Sequence, residues 1–113
     1  MKKQSLLNKL NQIEFHDLPL DSILIDTNTV NSITFNCSTY NEKTKEYDPF
    51  SLKFDKIIDL EISSLKLTQD LDFEINSFDY SWDNNFKLDT FILTGFGEPG
   101  LSIQLECENV ILK

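Results

Sequence analysis

A chain of 113 residues fits one domain, residues 1–113, able to bury about two-thirds of the surface its unfolded form exposes, so neither a metal nor a disulfide is needed for stability. All ten basic residues are lysine and the net charge is −9. Without arginine there is no fork-shaped donor for phosphates or base edges, which excludes nucleic acid as the expected ligand.

An acidic field of this size favours a basic protein partner and speeds its encounter. Solubility alone also accounts for excess acid, so charge by itself does not establish a partner. Met1-Lys2-Lys3 resembles the start of a signal peptide, but Gln4, Asn8, Lys9 and Asn11 interrupt any apolar core. No stretch reaches the apolar length of a membrane span. The expectation is a cytoplasmic protein, away from membranes, that carries no cofactor.

Leu6, Leu7, Leu10 and Ile13 recur at spacings of three and four, which predicts a short amphipathic helix over 3–13. A helix of this length without a strong cap is marginal in water and must pack on a sheet to persist. After Phe15, His16 and Asp17, Pro19 holds Leu18 extended, and Leu20 to Asp26 reads as a first strand. Thr27 to Thr29 is a turn. Val30 to Tyr40 then alternates cleanly, with Ile33, Phe35 and Cys37 on one face and Thr34, Asn36 and Ser38 on the other, the habit of an antiparallel strand with one buried face.

Asn41 to Pro49 is polar and ends in proline, which predicts an exposed hairpin loop. Phe50, Leu52 and Phe54 mark a short third strand. A fourth, Lys56 to about Leu67, is expected to face Ile58, Leu60 and Ile62 inward and Asp59 and Glu61 outward, with a bend at Ser63-Ser64 and a turn at Thr68 to Asp70. The fifth, Leu71 to Trp82, is the most aromatic. Its apolar residues change parity from Leu71, Phe73 and Ile75 to Phe78, Tyr80 and Trp82, so a bulge, a bend or a strand apolar on both faces is required at Asn76-Ser77.

Asp83 to Asn85 is a turn signal. Phe86 to Phe96 is apolar on both parities, which predicts cover on both sides for part of its length. All three glycines lie in the segment from Gly95 to Gly100, a turn with positive backbone angles rather than a phosphate loop, since no Lys-Ser/Thr pair or helix follows. Leu101 to Leu112 alternates again, with its parity shifting near Asn109. The sum is an all-β fold: an antiparallel meander of about seven strands, as a two-layer sandwich or one strongly curved sheet, with one short N-terminal helix.

Residues able to carry chemistry are few. Cys37 and Cys107 sit at strand-like spacing among apolar residues and read as buried free thiols. His16 is the only histidine, so no His-rich zinc site exists. Consecutive side chains on an extended chain point to opposite faces, which argues against Asp17 as an orienter of His16. A bond from His16 to a backbone group, where the helix hands over to the first strand, is the expectation. Asp79-x-Ser81-x-Asp83 matches the first ligand positions of a calcium loop and then fails, with no glycine at Asn84 and Thr90 in place of the bidentate glutamate. No catalytic or metal-binding residue is assigned. A small hydrolase using His16 or paired carboxylates, and a structural or oligomer-forming β-domain, remain the alternatives.

The strongest binding signal is the segment 78–86. If the Leu71, Phe73 and Ile75 face points to the core, the parity change turns Phe78, Tyr80 and Trp82 to the opposite face, flanked by Asp79 and Asp83. Tyr and Trp bounded by acids match the anchor-and-rim makeup of protein-binding patches. Against this, a bulge returns the rings to the core or the helix covers them, the usual fate of large aromatics on a strand.

Phe15-His16-Asp17-x-Pro19-Leu20 before a first strand, followed by a β-rich acidic chain, resembles small bacterial immunity proteins of polymorphic toxin systems. The resemblance implies a cytoplasmic protein that neutralises a toxin by binding it. It identifies neither the toxin nor the contact residues.

Overall fold

A computed structural model of the chain describes residues 2–28, 30–63, 72–95 and 100–113. Helix α1 (Lys2–Asn11) precedes six strands: β1 (Leu18–Asp26), β2 (Ser32–Asn41), β3 (Glu46–Ser63), β4 (Phe73–Trp82), β5 (Phe86–Leu93) and β6 (Leu101–Leu112). They form one antiparallel sheet that closes into a barrel in the order β1-β2-β3-β6-β5-β4. Two three-stranded meanders, β1 to β3 and β4 to β6, are thus joined by the β3–β6 and β1–β4 pairings. Closure is the most complete form of the expected curved sheet, because a closed sheet has no free edges to protect.

Six strands replace the expected seven because the third and fourth are one. The first part of β3 pairs with β2, from Asn41↔Glu46 to Ile33↔Phe54, and the second part pairs with β6, from Leu52↔Leu112 to Ser63↔Ser102. Between them Lys56 takes a left-handed conformation, φ 55°, and the register slips between Ile57 and Asp59. Ladder pairing continues through this bulge, which bends the strand around the barrel without ending it. It also corrects the expected inward set. Ile57 packs against the core with Leu60, whereas Ile58 is 54% exposed and Ile62 37% exposed.

The hairpin between β2 and β3 is likewise tighter than expected. Its turn is residues 42–45, closed by Lys45 N–H donating to Asn41 O at 2.8 Å, and Glu46 to Pro49 already belong to β3. The fourth strand's far end beyond Ser63, the turn at Thr68 to Asp70, Leu71, Thr29 and the middle of the glycine segment lie outside the described residues. Gly95 does adopt a positive φ of 128°. Gly100 lies under the Phe91 ring, where a β-carbon would fall 2.1 Å from ring carbon Cζ, so any larger residue there would displace the ring.

The interior is filled from every strand by the alternating residues that the sequence marks. Ile33, Phe35 and Cys37 of β2, Leu52 and Phe54 of β3, Phe86, Leu88 and Ile92 of β5, and Ile103, Leu105 and Cys107 of β6 are buried. Removing each large apolar side chain from water contributes about 1.5–3 kcal/mol. Both cysteines are buried free thiols on β2 and β6, with β3 between those strands. Leu10 of α1, 1% exposed, and Phe15, 7% exposed, close the same core from outside the strands.

Candidate functional site

The parity change in β4 is a bulge. Ile75 pairs with Ile92 and Ser77 with Phe91, leaving Asn76 as the extra residue. From there Phe78 lies opposite Thr90, Tyr80 opposite Leu88, and Trp82 opposite Phe86. Those three partners are buried, and paired residues share a face, so the bulge restores the β4 rings to the inward side. The outward turn considered from the alternation alone does not occur. Phe78, Tyr80 and Trp82 are half-buried and packed on the core, while Asp79 and Asp83 are exposed.

A run of ring contacts fixes this arrangement. Phe15 stacks on Phe78 at 3.9 Å, Phe78 meets Tyr80 at 5.8 Å, and Phe86 contacts both Tyr80 at 5.9 Å and Trp82 at 5.5 Å. Helix α1 covers the outer ends. The Tyr80 hydroxyl donates to Asn11 Oδ1, and burial pushes its pKa up. Lys3 Nζ stands 5.7 Å from the Trp82 ring centroid and donates to the Asp83 carbonyl at 2.7 Å. This explains how a ten-residue helix with no acidic residue in its first turn persists: contacts with the barrel supply what its sequence lacks.

The bulge is itself gripped from outside. Asp17 N–H donates to Ile75 O at 2.8 Å, and His16 Nδ1 lies 2.8 Å from Asn76 O. A carbonyl oxygen only accepts, so Nδ1 carries a proton. The bond between His16 and a backbone group thus forms where expected. Asp17, however, has φ 64°, so the chain is not extended there and the carboxylate comes within 3.5 Å of His16 Nε2. The Asn76 bond and then the Asp17 charge raise the His16 pKa above 6.5. A depression of about 310 Å³ beside this ring also borders Ser77, Asp79 and Tyr80. With one nitrogen held by Asn76 and the other facing Asp17, the ring has no nitrogen directed to a nucleophile.

On the outer side of the barrel, register builds a feature that individual strands do not reveal. Two rows cross β4, β5, β6 and β3: Asp79, Asp89, Gln104, Glu61, and Ser81, Lys87, Glu106, Asp59. These eight side chains border a shallow depression of about 450 Å³. Five are carboxylates and one is a lysine. Asp79 faces Asp89, and Glu106 faces Asp59, so like charges stand directly opposite, an arrangement that costs stability. None of these carboxylates makes an ion pair among the described residues, where the one pair is His16 with Asp17. Asn85 donates to Glu106 at 2.9 Å.

Of the five residues singled out by sequence, only Asp79 belongs to these rows. Asp59 and Glu61 are expected outward, and Gln104 and Glu106 lie on the polar parity of the last strand, whereas Lys87 and Asp89 belong to a strand expected to be covered on both sides. The assembly of all six depends on strand order. Asp79 and Ser81 lie in extended strand, not in a cation-binding loop. Among the described residues no group of three or more His, Cys, Asp or Glu side chains is arranged to hold a metal ion, and no helix is long and apolar enough to cross a membrane. Compared with protein-family models, curated proteins and solved structures, the chain matches none of them.

Proposed function

We propose that this chain is a non-catalytic protein-binding module of the immunity type, which neutralises a bacterial toxin in the cytoplasm by occluding a basic surface on it. The observation that carries the reading is the pair of acidic rows across β4, β5, β6 and β3, in a chain of net charge −9 without arginine. Five carboxylates against the single Lys87, none of them in an ion pair among the described residues, are stabilised when a cationic surface docks, so the repulsion held in the free protein becomes binding energy and a faster encounter. Asp79 is a direct contact in this reading. Phe78, Tyr80 and Trp82 hold β4 beneath it, and Asp83 marks the end of the strand beside α1.

The test is affinity capture from source-cell extract with three baits. One is wild type. The second carries Asp59→Asn, Glu61→Gln, Asp79→Asn, Asp89→Asn and Glu106→Gln, and the third carries neutral substitutions at Glu42, Glu46 and Asp48 of the β2–β3 hairpin. The reading requires a basic protein held by the first and third baits, lost from the second, and inhibited when bound. Equal retention by all three sinks it.

A further inference from the structure

Strand β1 accompanies β4 only from Leu18↔Ile75 to Leu20↔Phe73. Beyond Ile75 the place of a neighbouring strand is taken by Phe15, His16 and Asp17, each holding β4 differently. Phe15 stacks on Phe78 at 3.9 Å, His16 reaches Asn76 O at 2.8 Å, and Asp17 N–H reaches Ile75 O at 2.8 Å. Leu18 N–H donates to Phe15 O at 3.1 Å and closes the turn. Asp17 stays left-handed at φ 64°, a conformation that costs an L residue energy and persists only where surrounding contacts outweigh the cost.

We propose that Phe15-His16-Asp17 is a protonation-dependent clip on the β4 bulge, gripping it when the His16 ring is charged and loosening when the ring is neutral, so that the seating of α1 over Tyr80 and Trp82 changes with pH. Nδ1–H is committed to Asn76 O in either state, so the proton that leaves is the one on Nε2. Its path to solvent is open, since the His16 side chain is 62% exposed. The bare Nε2 lone pair then faces the Asp17 carboxylate at 3.5 Å, and attraction becomes repulsion. Asp17 turns away, and its left-handed backbone loses one of the contacts that offset its cost, leaving the bonds of Asp17 N–H to Ile75 O and Leu18 N–H to Phe15 O to hold the turn alone.

Every charged group facing the ring acts in the same direction. Glu14 and Asp17 come from its own segment and Glu74 from β4, and all three favour the imidazolium. Asp79 of β4 borders the same depression, to which α1 contributes only the uncharged Leu10 and Asn11. The consequence reaches the rings because Asn76 is the extra residue of the bulge. A one-residue slip there would send Phe78, Tyr80 and Trp82 to the other face. The clip therefore guards the register on which the helix docks.

The chain holds one histidine and one tryptophan, so a magnetic resonance titration of the whole protein across neutral pH is unambiguous. The carbon-bound protons of His16 report the ring, while the amides of Asp17 and Phe78 and the indole N–H of Trp82 report the clip and the helix seat. The expected result is one shared midpoint above 6.5, moving to lower pH in Asp17→Asn, where asparagine retains the left-handed backbone but not the charge. The proposal is overturned if the ring titrates while the Asp17, Phe78 and Trp82 signals stay flat, if the wild-type midpoint lies at or below 6.5, or if Asp17→Asn leaves it unmoved.

Discussion

Asp79 and Asp89 stand directly opposite one another on β4 and β5, both exposed and neither in an ion pair among the described residues. Like charges in that position are destabilising by about 0.2–1 kcal/mol. Asp89→Asn is therefore expected to stabilise the free protein by that order. Urea unfolding at low salt measures it, and the gain should shrink at high salt, where screening already weakens the repulsion.

Thr90 is wholly buried on β5, and its hydroxyl donates to Ser77 O, at the bulge, at 2.6 Å. Thr90→Val preserves shape but leaves that carbonyl without its donor, at a cost of about 1–3 kcal/mol. A lowered urea midpoint with an unchanged slope is the expected reading.

Leu10 is the most deeply buried residue of α1, 1% exposed. Leu10→Ala is expected to cost about 2–5 kcal/mol. Because α1 lies over Trp82 through Lys3, undocking should also shift the emission of the single tryptophan to longer wavelength before global unfolding. Coincident transitions would contradict a separately docked helix.

Stability should fall on the alkaline side in two stages. The His16 pKa is raised in the folded state by its Asn76 bond and then by Asp17, so its contribution is complete below 6.5 and is lost as pH rises through the folded value. Burial pushes the thiols of Cys37 and Cys107 up from 9.0 to about 12. Unfolded thiols ionise first, so the native state binds more protons between those values and stability drops again. Unfolding midpoints measured against pH check both stages, with Cys107→Ala reducing the second. Thiol-reactive probes should label neither cysteine faster than the protein unfolds.

Legibility in the sequence followed physical range. The alternation of Ile33, Phe35 and Cys37, or of Leu101, Ile103 and Leu105, is local, and both strands formed as expected. So did the helix through Leu6 and Leu10, though it ends at Asn11, before Ile13, and the break at Asn76-Ser77 was visible as a change of parity. Which way the rings turned was not, because it depends on pairing with Phe91 and Thr90 in another strand. The left-handed turn at Lys56 carries no compositional signal, since lysine is not a residue that favours it. That is why one bent strand read as two. The acidic rows lay furthest from view: Asp79 and Asp59 share a face only through the order of four strands and their register.

The most direct test of the proposed acidic binding face is the Kd of the purified complex with the captured basic partner. It is measured across salt concentrations for wild type and for the variant neutralised at Asp59, Glu61, Asp79, Asp89 and Glu106. Neutralisation is expected to weaken binding by about tenfold or more at low salt, flatten its salt dependence and slow association, with the fold intact by urea unfolding. An unchanged Kd and salt dependence in the folded variant would contradict the acidic binding face.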